Sequence, residues 1–335
     1  MEPSDRIGIL IANTGTPTAP TPEAVRSYLE GFLMHKRIVP MNRILWWGIL
    51  HAFILPKRSD TTATKYRKIW TEEGSPMIVW HERLVEKLNA AFRETGEAYS
   101  VKLGMSFGSY PIADALRQFK EEGINRLIVL ALYPQAAYST VKVVEDEVRA
   151  AIKEMSWRPH VRYVNDYCTN PVYAKSIAAS ILNAGFEPNS ADKIVFSFHS
   201  IPLADIHNGD TYELTSQSSC LAIADALGID KRQWSIGYHS RFEDRRKWLG
   251  PFTPQVLERE VPMPAHRVFL VCPNFSVDCL ETLYDVEYKI KPVYIKQLIQ
   301  NNVGADADSF IYVPCLNDSD AHVNLIVDVI RHTVQ

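Results

Sequence analysis

Short apolar runs alternate with amphipathic segments along the whole chain, and this alternation restricts the fold more than any other feature. The runs lie at residues 7–12, 100–105, 127–132, 161–165, 194–198, 234–238, 267–271 and 310–313. Most are continuous and bounded by turn residues, the pattern of parallel strands buried on both faces. Between them the apolar spacing is helical. Val25, Tyr28, Leu29, Phe32 and Leu33 fall at i, i+3, i+4, i+7 and i+8 and make one apolar face. Thr21 and Pro22 ahead of them suit an N-cap followed by proline at the first helical position. Strands alternating with helices predict an α/β fold with parallel sheets.

The chain also reads as two similar halves. GILIANTGTP (8–17) and KIVFSFHSIP (193–202) each run from a strand into a polar turn that ends in proline. RLIVLALYPQ (126–135) and RVFLVCPNF (267–275) repeat a second strand-to-proline turn at a similar separation. A length of 335 residues suits two domains of roughly 100–200 residues each. The expectation is two similar doubly wound, Rossmann-like domains, 1–157 and 158–335, with the last helix returning to the first. Ligands of such folds sit at the carboxyl ends of the strands, where all four turns lie.

Composition narrows the function. The chain is 46% hydrophobic and 22% charged, which excludes a disordered or fibrous protein. The formal net charge is −3, from 36 Lys+Arg against 39 Asp+Glu, so no basic surplus points to nucleic acid. No run reaches the ~18 apolar residues of a bilayer span, and the N-terminal run is too short for a secretory signal. The five cysteines form no C-x-x-C pair, so neither a zinc knuckle nor a disulfide framework is signalled. Reduced thiols and a cytoplasmic location are expected. G-x-G-x-x-G, P-loop, H-E-x-x-H and G-x-S-x-G motifs are all missing, which argues against nucleotide binding and serine or zinc hydrolysis.

Three constellations remain. His199 directly follows an apolar strand, where functional side chains collect, and an imidazole both accepts protons and binds metals near neutral pH. The plain alternative is a histidine hydrogen-bonded at a strand end. Glu281 and Asp285 stand four apart in DCLETLYD, on one helix face, and two like charges there disfavour each other unless a proton or cation lies between them. The plain alternative is a solvated acidic face. The run ILWWGILHAFIL (44–55), with Trp46 and Trp47, is followed by Pro56-Lys57-Arg58. It reads either as a core helix with a charged turn or as a greasy lip that holds a flat apolar ligand or touches a membrane. Arg37, Lys57 and Arg58 would then pair with carboxylates of that ligand. Tyr66, Ser75 and Tyr133 fall at apparent loop positions, and His239 ends another strand.

FSFHSIP (196–202), SRF and WLGPFT (within 240–253), CPNFSVDCLETL (272–283) and LYPQAAYST (132–140) together resemble the ferrochelatase family. ILIANTGTPTAPTPEAVRSYL, YRKIWTEEGSPM and YVPCLND resemble it too, so the likeness runs in order along nearly the whole chain. It is nearest the short bacterial form acting on protoporphyrin IX. The resemblance implies two four-stranded parallel sheets around a porphyrin cleft and insertion of ferrous iron to form protohaem. It makes His199 the base or metal ligand, Glu281 the glutamate facing it across the macrocycle and Asp285 the next acid, with His199 and Glu281 touching the metal. Thr14, Arg37, Arg58, Tyr66, Ser75, Tyr133 and Trp248 match positions near the ring, its propionates or the cleft mouth.

The resemblance implies ferrous iron as substrate; no tightly bound cofactor is expected, and no iron–sulfur cluster of the kind some relatives carry. A monomer or homodimer is expected, cytoplasmic, with the Trp46–Trp47 lip as its peripheral membrane contact. The chain departs from the family's usual pattern at Asn274, a glycine in CPGF, at Lys289, an acid in some relatives, and at His239, a glutamine. Alternatives are a coproporphyrin or other tetrapyrrole chelatase and a non-catalytic tetrapyrrole carrier.

Overall fold

The computed structural model describes residues 6–242, 244–260, 267–301 and 309–334. All eight expected strands form: β1 (Ile7–Thr16), β2 (Tyr99–Gly108), β3 (Arg126–Ala131), β4 (His160–Val164), β5 (Lys193–His199), β6 (Trp234–His239), β7 (Val268–Val271) and β8 (Phe310–Val313). They make two four-stranded sheets in the orders β2-β1-β3-β4 and β6-β5-β7-β8, and every pairing is parallel. The second order is the first shifted by four strands. The repeated sequence turns therefore end equivalent central strands, β1 with β5 and β3 with β7.

Two compact units result, Met1–Asp166 with Ile326–Gln335, and Tyr167–Leu325. The division falls after Asp166, where the sequence had placed it after residue 157. The reason is β4, which pairs in register with β3 from Arg126↔His160 to Leu130↔Val164 and so belongs to the first sheet. The helix Asp320–Val334 has its last turns in the first unit. There Arg331 forms a two-pronged ion pair with Glu97, and Arg162 donates to the carbonyls of Thr333 and Val334.

Burial explains the continuous apolar runs. Ile194, Val195, Phe196 and Phe198 of β5 are all fully buried, each side chain contributing roughly 1.5–3 kcal/mol. Ser197 interrupts that run without a desolvation penalty, because its hydroxyl bonds His239 Nδ1 at 2.8 Å and Thr253 Oγ1 at 2.5 Å. Gly237 of β6 faces the same spot; a Cβ there would meet Thr253 Cα at 2.9 Å. In the first sheet Gly15 has φ +105°, and a Cβ would fall 1.9 Å from the Phe107 carbonyl oxygen. Thr21 caps the helix Pro22–Met34 by accepting from the Ala24 amide, as the sequence predicts.

Two helical stretches are wound wide. Leu50–Ile54 and Leu280–Ile290 use hydrogen bonds between residues five apart, ending with Leu55 N–H to Leu50 O and Lys291 N–H to Val286 O. Each is followed by proline in the next helix, Pro56 in Leu55–Ile69 and Pro292 in Lys291–Gln300. Proline lacks the donor and collides with the carbonyl four residues back in a regular helix; a wider turn relieves the clash. Pro56-Lys57-Arg58 thus lies inside a helix, not in the charged turn the sequence suggested. No helix among the described residues is long and apolar enough to cross a membrane.

Candidate active site

His199 is the last residue of β5 and is half-buried. Its Nδ1 lies 2.6 Å from the Ser200 carbonyl oxygen, which fixes the proton on Nδ1 and leaves Nε2 with the lone pair. Its amide donates to Asn274 Oδ1 at 3.3 Å. The departure at 274 therefore has a function in the fold: the asparagine side chain ties the end of β5 to the turn after β7, a contact glycine cannot make. Phe275, next in that turn, sets its ring 6.4 Å from the His199 ring and 5.9 Å from that of His239.

Glu281 and Asp285 are carried by the wide stretch Leu280–Ile290, which starts in a built cap. The Cys279 amide donates to Thr282 Oγ1, and Asp278 accepts from Thr282 Oγ1 at 2.9 Å, Tyr312 OH at 2.5 Å and Asn317 Nδ2 at 2.8 Å. Glu281 is half-buried, with one oxygen 3.1 Å from the Cys279 thiol, which donates to it. Burial, with this carboxylate beside it, pushes the Cys279 thiol well above its ordinary range. Asp285 is buried and fully engaged: Ser240 Oγ donates to Oδ2, and Lys289 Nζ lies 2.6 Å from Oδ1. Glu287 is exposed and pairs with Lys291 instead.

His239 stands beside His199 in the β5–β6 register and is buried. Burial first, and the neighbouring His199 second, lower its imidazole to about 3, so it is neutral. Trp248 is buried, donates its indole N–H to Asp244 at 2.9 Å and lies under the Arg246 guanidinium. His199, Glu281, Asp285, Trp248 and His239 all belong to the second unit.

The remaining expected residues belong to the first unit. Thr14 and Tyr133 are joined: the Thr14 amide donates to the Tyr133 hydroxyl at 3.0 Å, and their hydroxyls are hydrogen-bonded. Tyr133 in turn donates to Asn13 Oδ1 at 2.5 Å, and Asn13 Nδ2 reaches the fully buried His81. Sequence reasoning missed Asn13 and His81; Asn13 sat within the quoted strand-end turn, but nothing marked His81. Ser75 caps the helix Pro76–Glu94 by position and hydrogen-bonds Thr16, buried.

Tyr66 lies inside Leu55–Ile69 and is buried, not at the loop position expected. Arg58 is on the same helix, half-buried. Arg37 is committed to a two-pronged pair with Asp146, 2.6 and 3.0 Å, which raises the arginine and lowers the carboxyl. The two tryptophans differ: Trp46 donates its indole N–H to the Leu33 carbonyl, while Trp47 is exposed with Ile44, Leu45 and Phe53. His266 and Glu243 lie outside the described residues. Among the described residues no three His, Cys, Asp or Glu side chains are grouped to enclose a metal ion.

A family model described as Ferrochelatase matches residues 6–334. A ferrochelatase of Nitrosococcus oceani is 34% identical over 330 residues, 98% of this chain and 87% of that one. A ferrochelatase of Yersinia pestis is 34% identical over 327 residues, 98% of each. Among solved structures, SirB from Bacillus subtilis with Fe3+ superimposes with a TM-score of 0.56 at 9% identity, covering 98% of this chain and 96% of that one. A multi-domain Deinococcus radiodurans protein with structural similarity to chelatases gives 0.55 at 11% identity; 97% of this chain matches 55% of its length. These two likenesses show the fold, and the family model with its relatives shows the lineage: the chain belongs to the ferrochelatase family.

Proposed function

We propose that the protein inserts ferrous iron into protoporphyrin IX to form protohaem. The observation that carries this reading is the state of His199: its Nδ1 proton is held by the Ser200 carbonyl, so Nε2 presents a lone pair at the carboxyl end of a central strand. Metallation breaks two pyrrole N–H bonds, releases two protons and forms bonds from iron to the ring nitrogens. His199 Nε2 serves as acceptor for a pyrrole proton or as a ligand that replaces water on the arriving ion. Glu281, whose neighbour Cys279 donates to one oxygen only, keeps carboxylate lone pairs for the cation or the second proton. Asp285 shapes the field around them, its charge offset by Lys289.

In the first unit, Thr14 and Tyr133 form a hydroxyl pair braced by Asn13, suited to meet a macrocycle edge. Iron passes through as substrate, and no resident cofactor is invoked. The exposed apolar group Ile44, Leu45, Trp47 and Phe53 is proposed as a peripheral contact for a lipid surface, from which an apolar porphyrin would arrive. The reading is tested by a panel of protoporphyrin IX and coproporphyrin with Fe2+, Co2+ and Ni2+ under anaerobic conditions, followed by absorbance. Fastest turnover with protoporphyrin and Fe2+ supports it. Preference for coproporphyrin, or for another metal on another tetrapyrrole, replaces the substrate assignment.

A further inference from the structure

His239 is 95% removed from solvent, and its Nε2 has no hydrogen-bond partner. An unmade bond on a buried acceptor costs roughly 1–3 kcal/mol, so such an atom calls for an explanation. Its Nδ1 lies 2.8 Å from Ser197 Oγ, a hydroxyl that can accept from a protonated Nδ1 or donate to a bare one. In the tautomer with the proton on Nδ1, facing Ser197 Oγ as acceptor, Nε2 carries a lone pair and has no partner.

A second imidazole stands beside it. His199 and His239 are register partners at the ends of β5 and β6, on strands about 4.8 Å apart, and register partners on parallel strands project to one face. Both rings neighbour Phe275, at 6.4 Å for His199 and 5.9 Å for His239. Asp285, held by Ser240 in the residue after His239, and its partner Lys289 act on the His239 ring with opposite signs, so their charges largely offset there. His199 offers Nε2 for the same reason as His239, its own Nδ1 being occupied.

We propose that His239 Nε2 is a second imidazole donor, which with His199 Nε2 forms a two-nitrogen transit site for the divalent metal before insertion. This rests on the metal-insertion reading above and adds to it a ligand from β6. Two imidazoles with the remaining positions open suit transit better than storage, since closed four-ligand sites hold their ion and a chelatase must release it. Two neutral nitrogens also select borderline cations over Mg2+ and Ca2+, which prefer oxygen.

The test uses the whole protein without porphyrin, with Co2+ alone as probe. In a visible-absorbance titration, His239→Gln is expected to weaken Co2+ binding about 10- to 100-fold and to change the ligand-field spectrum. Unchanged affinity and spectrum in a folded His239→Gln variant overturn the proposal. Should that variant fail to fold, the wild type decides: with 15N-labelled histidine, Zn2+ must move the His239 Nε2 resonance together with that of His199, and movement of His199 alone overturns it. The two readings fail separately. Metallation of protoporphyrin with Co2+ bound independently of His239 removes the transit site and leaves the function; Co2+ held through His239 without any metallation does the reverse.

Discussion

Lys289 places its ammonium 2.6 Å from one oxygen of Asp285, while the Ser240 hydroxyl bonds the other oxygen of that carboxylate. Both lone-pair-bearing atoms of Asp285 are thus engaged before any substrate arrives, whereas Glu281 has a thiol donor on one oxygen only. The two acids of the wide helix are therefore unequal partners for a cation or proton. Glu281→Gln is expected to lower the metallation rate by about 10²–10³-fold, and Asp285→Asn by less than about 10-fold. Initial rates of porphyrin metallation under saturating metal give the comparison; equal effects of the two substitutions contradict the assignment.

His199→Ala separates chemistry from folding. The imidazole is half-buried and its ring bonds the adjacent Ser200 carbonyl, so truncation should change stability by less than about 1 kcal/mol. Metallation should fall by about 10²–10⁴-fold. Urea denaturation and turnover measured on one preparation test both halves of the statement.

Asp278 is the reverse case. It is buried, accepts from Thr282, Tyr312 and Asn317, and starts the helix that carries Glu281. Asp278→Ala strands three donors and should cost roughly 3 kcal/mol or more. A urea midpoint within error of wild type would show that this network contributes nothing.

Acid should destabilise the second unit in a defined window. His322 is buried, bonded at Nδ1 to the Asn317 carbonyl, and burial lowers it to about 4; His239 lies lower still, at about 3. Both are neutral when folded, but unfolded histidine takes a proton near 6.5. The unfolded chain therefore binds more protons below that pH. The stabilising contribution is complete above about 6.5 and is lost as pH falls toward 4, by about 1.4 kcal/mol per pH unit for each group. His322→Asn should flatten the urea-midpoint profile between these values, while an unchanged slope would remove His322 as a cause.

The exposed set Ile44, Leu45, Trp47 and Phe53 gives a surface prediction. Flotation with anionic liposomes should carry the wild type, and the double change Trp47→Ser/Phe53→Ser should release it. Trp46→Ser should act mainly on stability, because that indole is bonded to Leu33. Equal flotation of all three proteins argues against a lipid contact.

The eight strands were legible because each is an apolar run long enough to be buried on both faces, and the internal repeat was legible because β1 and β5, and β3 and β7, end in similar turns. The domain boundary was not. Residues 158–166 carry no Gly, Ser or Pro linker beyond Pro159, and only the pairing of β4 with β3 assigns them. His199, Glu281 and Asp285 stood out through position and spacing. The engagement of Arg37 by Asp146, the buried place of Tyr66 and the hold of Ser240 on Asp285 did not, because each joins residues 45 or more apart or depends on which helix face turns inward. Lys289 was visible as a departure, but only the ion pair reveals that it quiets the acid beside it.

The central claim is that this chain uses His199 to place ferrous iron in protoporphyrin IX. The most direct measurement is anaerobic incubation of purified wild type and His199→Ala with protoporphyrin IX and Fe2+, following loss of free-base absorbance and growth of the protohaem spectrum. The account predicts multiple turnovers with wild type and a rate near the protein-free background with His199→Ala. Metallation by wild type no faster than background, or a His199→Ala variant as fast as wild type, would contradict it.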